Sequence, residues 1–128
     1  MKIDSNGIIT VTSGDTPRIP FRVLDPTARI GVDLTGFDII FSVKDEKNNK
    51  LIEKTSAIAT ELVIANQITN PGVFEVLLRE MDSFNIVGSF NYDVEITLYR
   101  NVGGVIEHGV VTPIRSIINI TKDYSNAG

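Results

Sequence analysis

From Phe90 to Leu98 apolar and polar residues alternate without a break: Phe90, Tyr92, Val94, Ile96 and Leu98 share one parity, Asn91, Asp93, Glu95 and Thr97 the other. Side chains of a strand point to opposite faces with period two, so this segment reads as a strand with one apolar and one polar face. That is the pattern of one layer of an antiparallel sandwich. The same alternation recurs over residues 18–24, where Ile19, Phe21 and Val23 alternate with Arg18, Pro20 and Arg22. It recurs again over residues 37–44, where Phe37, Ile39, Phe41 and Val43 alternate with Asp38, Ser42 and Lys44, and only Ile40 breaks the order. Pro20 has no N–H to give to a ladder, which places its strand at a sheet edge, at least in its first half.

Turn residues cut the rest of the chain into short pieces. Residues 8–12 form a β-branched strand closed by Gly14-Asp15, and Asp25-Pro26 opens a loop that runs to Gly31. Asp33-Leu34-Thr35-Gly36 reads as a turn with a side-chain-bonded Asp or Thr, one apolar plug and a Gly at a special dihedral. The mixed-sign run over residues 44–50 is a solvated hairpin tip, with residues 51–56 as the returning strand. Residues 57–61 are too short to nucleate a helix and are a connection. Residues 61–69 and 73–80 flank Asn70-Pro71-Gly72, a tight turn in which Pro presets φ and Gly supplies positive φ. Residues 81–88 depart from period two. There Asp82 or Ser83 caps a single helical turn that Gly88 ends. After the strand over 90–99 come a turn at residues 101–104, a strand over 105–112, a break at Pro113 and a last strand over 114–121.

Nine short strands with turn signals about every ten residues predict an all-β fold, an antiparallel immunoglobulin-like β-sandwich of Greek-key type with one short helical turn. The chain reads as one domain over residues 1–128, with an N-terminal arm over 1–7 and a C-terminal tail over 122–128. Its predicted core is Phe21, Phe37, Ile39, Phe41, Phe74, Phe90, Val94, Ile96 and Leu98. In Greek-key sandwiches a tyrosine near the start of a late strand sends its hydroxyl back to the preceding corner. Tyr92, Asp82 and Gly88 have that layout, so they form a predicted structural corner with Tyr92 buried.

The 128 residues include no Cys and no Trp, and the formal net charge is -4. The absence of Cys excludes a disulfide framework and a thiolate metal site. Scattered basic residues on an acidic chain are not the footprint of a nucleic-acid binder. Neither an apolar signal segment nor an apolar run of about 18 residues occurs, so no membrane span is expected. His108 is the single histidine, flanked by Glu107 and Gly109 without a Gly-x-Ser-x-Gly elbow, and it reads as a strand or loop residue rather than a base. Asp25, Asp33, Asp38, Asp45 and Glu46 fall in no calcium-loop pattern, and Gly103-Gly104 is a hairpin turn rather than a phosphate loop. No catalytic, cofactor or metal residue is nominated.

Several stretches in order carry a resemblance. They are Ser13-Gly14-Asp15-Thr16, Ile19-Pro20-Phe21-Arg22-Val23-Leu24-Asp25, Val32-Asp33-Leu34-Thr35-Gly36 leading into residues 37–44, Pro71-Gly72-Val73-Phe74, and Gly88-Ser89-Phe90-Asn91-Tyr92-Asp93-Val94-Glu95. Together, from Gly14 to Thr121, the chain resembles the immunoglobulin-like sandwich at the N-terminus of phage baseplate upper proteins and related small phage tail and virion proteins. Those baseplate proteins continue in a long C-terminal extension, whereas this sequence stops at Gly128. The resemblance therefore implies a non-enzymatic structural or adaptor subunit of the tail, baseplate or head-tail region. It further implies contacts with other virion proteins, a trimeric or hexameric homo-oligomer in the particle, manufacture in the host cytoplasm, and no cofactor. The alternative is a carbohydrate-binding or adhesin-type surface sandwich in which Tyr99 or Tyr124 stacks on sugar; the absence of Trp weighs against it.

Overall fold

A computed structural model describes residues 1–122, with side chains at all of these except 98–102, 105–108 and 110. Among the described residues the elements are β1 (Lys2–Ile3), β2 (Ile9–Thr12), β3 (Arg18–Arg22), β4 (Asp38–Lys44), β5 (Lys50–Thr55), β6 (Leu62–Ile64), β7 (Val73–Leu77), α1 (Glu80–Ser83), β8 (Gly88–Val102) and β9 (Val105–Thr121). They form a six-stranded sheet of order β1-β2-β9-β8-β4-β5 and a three-stranded sheet of order β3-β7-β6. The chain changes sheet between β2 and β3, β3 and β4, β5 and β6, and β7 and β8, which is the Greek-key winding of an immunoglobulin-like sandwich. Every pair is antiparallel except β2 with β9, which run parallel with Ile9 opposite Ile118. β3 lies at an edge of its sheet, where Pro20 leaves no inner ladder incomplete.

The inward parity of each strand fills one core between the sheets. Ile39, Phe41, Phe74 and Val94 are fully buried, Ile96 nearly so, and Phe21, Phe37 and Phe90 are partly buried against them. The side chain of Leu98 lies outside the described residues. Four rings join the layers: Phe21 of β3 stacks on Phe74 of β7 at 5.2 Å and meets Phe41 of β4 and Tyr92 of β8, each at 5.9 Å between ring centres.

Three local expectations are corrected. Pro113 does not end a strand: Val94 pairs with Ile114 and Ile96 with Val111, so Thr112 and Pro113 together face Glu95 in a bulge. The residue that lacks an N–H sits where the ladder is interrupted, and β9 continues through it. The helical turn begins earlier, at Glu80, where the Arg79 N–H donates to the Asp82 carboxylate at 2.6 Å. The chain leaves it through Asn85 at φ 62°, not through Gly88, which starts β8. Within the expected arm, Lys2–Ile3 pairs with β2 as a two-residue strand.

At the end of the sandwich away from α1, the 23–37 and 65–72 loops meet backbone to backbone. Gln67 organises the contact. Its Oε1 accepts from the N–H groups of Leu34 (3.0 Å) and Gly72 (2.8 Å), and its Nε2 donates to the carbonyls of Ala65 (2.8 Å) and Val73 (3.2 Å). Gly72 has φ +82°, and a Cβ there would lie 2.3 Å from the Val23 carbonyl oxygen. Gly72→Ala is therefore expected to lower stability by about 2 kcal/mol or more, through both the positive φ and the backbone clash. Gly36→Ala, with positive φ but open space, is expected to cost about 1 kcal/mol. Urea denaturation midpoints of the two variants check the order.

Candidate interaction surfaces

The segment between β7 and β8 is anchored from below and apolar on top. Lys54 sits on the inward parity of β5, 4% exposed, and its Nζ lies 2.6 Å from Oδ2 of Asp82. Ser83 is buried as well. Its Oγ accepts from the Gly14 N–H at 2.9 Å, and its carbonyl accepts from the Ser13 hydroxyl at 2.6 Å. Two independent sets of polar contacts thus tie α1 to β5 and to the β2–β3 turn. Above them Met81, Phe84 and Val87 are 78%, 52% and 54% exposed. A groove of about 390 Å³ runs beside Phe84 and Val87, with Asp15, Glu80 and Lys122 on its rim. Large apolar side chains scattered singly on a surface need no explanation, whereas these three fall within seven residues of one fixed corner, which makes it a candidate surface.

Tyr92 is buried, and its hydroxyl does not reach the corner of Asp82 and Gly88, which corrects the expected arrangement. It donates instead to the carbonyl of Gly7, in the turn between β1 and β2. Ser116, register partner of Tyr92, donates its hydroxyl to the neighbouring Asn6 carbonyl at 3.1 Å. Asp82 pairs with Lys54, so the predicted corner residues serve two separate contacts. The partner of Tyr92 follows from β2 running parallel to β9, which brings Gly7, just ahead of β2, to the Tyr92 hydroxyl and Ser116.

A second surface lies at the far end of β8. Thr97 is the last β8 residue with a β4 partner, Asp38. From Leu98 to Val102 the only described neighbour is β9, with Leu98 opposite Gly109, Arg100 opposite Glu107 and Val102 opposite Val105. The result is a two-stranded ribbon beyond the sheet, closed by Gly103 and Gly104, both at positive φ.

The remaining sequence candidates are turns. Asp25, Asp33 and Asp45 are held below the usual carboxylate range, first by the Ala28 N–H, the Thr35 hydroxyl and the Asn49 N–H respectively. Leu34 is the buried plug between Asp33 and Gly36, whose φ is 78°. Among the described residues no group of three His, Asp or Glu side chains is placed to hold a metal ion, and no helix is long and apolar enough to cross a membrane. The side chains of His108 and Tyr99, and Tyr124 altogether, lie outside the described residues. Sequence reasoning missed Lys54 and Gln67. The signal for Lys54 was present, since it shares parity with Ile52, and a cation on an apolar parity requires a buried partner. No protein-family model matches the chain, and neither does any curated protein.

Two predictions follow from the burial of these groups. Because the Lys54 side chain is 5% exposed and that of Asp82 23%, Asp82→Asn strands a charge in the interior and is expected to cost about 3 kcal/mol. Lys54→Met leaves a partly exposed carboxylate that keeps its bond from the Arg79 N–H, and is expected to cost less, about 1–2 kcal/mol; chemical denaturation of both variants checks the asymmetry. Burial pushes the Tyr92 phenol above its ordinary value of 10.0, a hydrogen bond with Ser116 opposes the rise, and the Asp4 carboxylate adds to it. A raised folded value means that the stability contributed by the neutral phenol is complete below pH 10.0 and is lost as pH climbs past it. Tyr92→Phe is expected to cost about 1 kcal/mol at neutral pH, and the deficit relative to the parent is expected to shrink in alkaline melts.

Proposed function

We propose that this chain is a non-enzymatic structural or adaptor subunit of a phage particle, docking onto neighbouring virion proteins through the α1 corner. The observation that carries the reading is the exposure of Met81, Phe84 and Val87 on a segment fixed by the Lys54–Asp82 pair and by Ser83. A docking site gains affinity when its apolar contacts are held in place before binding, because little ordering remains to be done on contact. The stretches that carry the resemblance support it: residues 13–16 form the turn that Ser83 grips, and Gly88–Val102 begins beside Val87. In this reading the protein resides in the virion as one of several copies and turns over no substrate.

The experiment is mass spectrometry of purified particles assembled with the parent chain or with Phe84→Asp. The parent polypeptide is expected in the particles. The variant is expected to be depleted about tenfold or more, the factor that accompanies a loss of about 1.4 kcal/mol. Particles that lack the parent polypeptide overturn the reading.

A further inference from the structure

Asn6-Gly7 is the one Asn-Gly pair in the sequence. In such a pair the backbone nitrogen that follows the asparagine can attack the side-chain amide, because glycine has no Cβ to crowd the approach or to restrict the backbone. The pair lies between β1 and β2, in a turn closed by the Gly7 N–H donating to the Asp4 carbonyl at 3.1 Å. One oxygen of the Asp4 carboxylate accepts from the N–H groups of Asn6 (2.8 Å) and Ile8 (2.9 Å). The large sheet holds the same turn from the other side. The Tyr92 hydroxyl donates to the Gly7 carbonyl, and the Ser116 hydroxyl donates to the Asn6 carbonyl at 3.1 Å. All four backbone polar groups of the pair are therefore engaged, although Asn6 itself is exposed and within reach of water.

We propose that Asn6-Gly7 is a deamidation site kept unreactive by the grip of Tyr92 and Ser116, and that it converts when the β1–β2 turn lifts away from β8 and β9. The step balances without a cofactor. The Gly7 nitrogen gives up its proton and bonds to Cγ of Asn6, the Cγ–Nδ2 bond breaks, and the amide nitrogen leaves with that proton as ammonia, closing a succinimide. Water then opens the ring at either carbonyl, giving aspartate or isoaspartate. In the folded chain the attacking nitrogen has its N–H committed to the Asp4 carbonyl, and the carbonyls of Asn6 and Gly7 are pinned. The peptide between them is not free to swing toward Cγ, so the rate follows the fraction of time the turn is open. Opening to isoaspartate routes the main chain through Cβ and Cγ and turns the former Asn6 carbonyl into a carboxylate. The spacing that presents two neighbouring carbonyls to Ser116 and Tyr92 is then lost, and the release becomes one-way.

Peptide mapping by mass spectrometry of the full chain, incubated at neutral pH, follows conversion at Asn6 and separates it from any other asparagine. The folded parent is expected to convert about tenfold or more slowly than the parent in urea, because only the open turn reacts. Tyr92→Phe keeps the ring and removes only the hydroxyl; it is expected to speed conversion about fivefold, the change in open population that follows the loss of one hydrogen bond of ordinary strength. Tyr92→Phe combined with Ser116→Ala is expected to reach about tenfold or more. Gly36→Ala weakens the 23–37 loop and leaves both hydroxyls in place, so it is expected to convert at the parent's rate. That control separates release of the turn from a general loss of stability, and it serves equally if the Tyr92 variants melt below the parent. Equal rates for folded and urea-treated parent, no conversion at Asn6 in urea, a double variant no faster than the parent, or Gly36→Ala as fast as Tyr92→Phe overturns the inference.

Discussion

The sandwich depends on one contact across its middle. Phe21 comes from an edge strand, yet its ring stacks on Phe74 within its own sheet and meets Phe41 and Tyr92 in the opposite one. Phe41 and Tyr92 in turn lie 5.6 Å apart. Rings of this size each bury about 150–250 Å², and sheets that pack face to face are about 10 Å apart. A cluster of four rings is enough to bridge that gap without a disulfide. With β3, β4, β7 and β8 held at this point, a one-residue slip in any of them would turn its apolar parity toward solvent. The register of β8 is fixed in consequence, and with it the positions of the corner at its start and the ribbon at its end.

Polar groups inside the protein act on the loops rather than on the core. Gln67 has both ends of its amide bonded, and all four contacts go to backbone groups, three in the two loops and one at the first residue of β7. Lys54 reaches from the sheet interior to α1. A buried amide or ion pair adds little net stability when compared with a well-packed apolar substitute, but its directionality selects one arrangement of the groups around it. Here that arrangement is the orientation of the segments at the two ends of the sandwich.

The alternation in residues 37–44 and 90–98 was enough to identify strands, their buried parity and the fold class, because period two is imposed by the backbone itself. Pro20 marked an edge for the same local reason. What the pattern did not contain was pairing between distant segments. Pro113 looks like a break until Glu95 is known to stand alone across from Thr112 and Pro113. The inward direction of Tyr92 could be read from parity, but its acceptor is 85 residues away in sequence and is brought there by a parallel pairing that no turn motif announces. Met81, Phe84 and Val87 were visible as apolar residues in a stretch without strand periodicity; only the fold shows that they lie on the outside of it.

The parallel alignment of β2 with β9 has a bearing on biosynthesis. Ile9 is opposite Ile118 and Thr12 opposite Thr121, so the first long strand to leave the ribosome cannot complete its ladder until nearly the last residues of the sheet have been translated. Closing so large a loop is entropically slow, and contacts of this separation are formed late in folding. During that interval the strand holds Ile9 and Val11 ready for an interior that does not yet exist. The β2–β9 ladder is therefore a late addition to a sheet whose hairpin pairings, being closer in sequence, are available first.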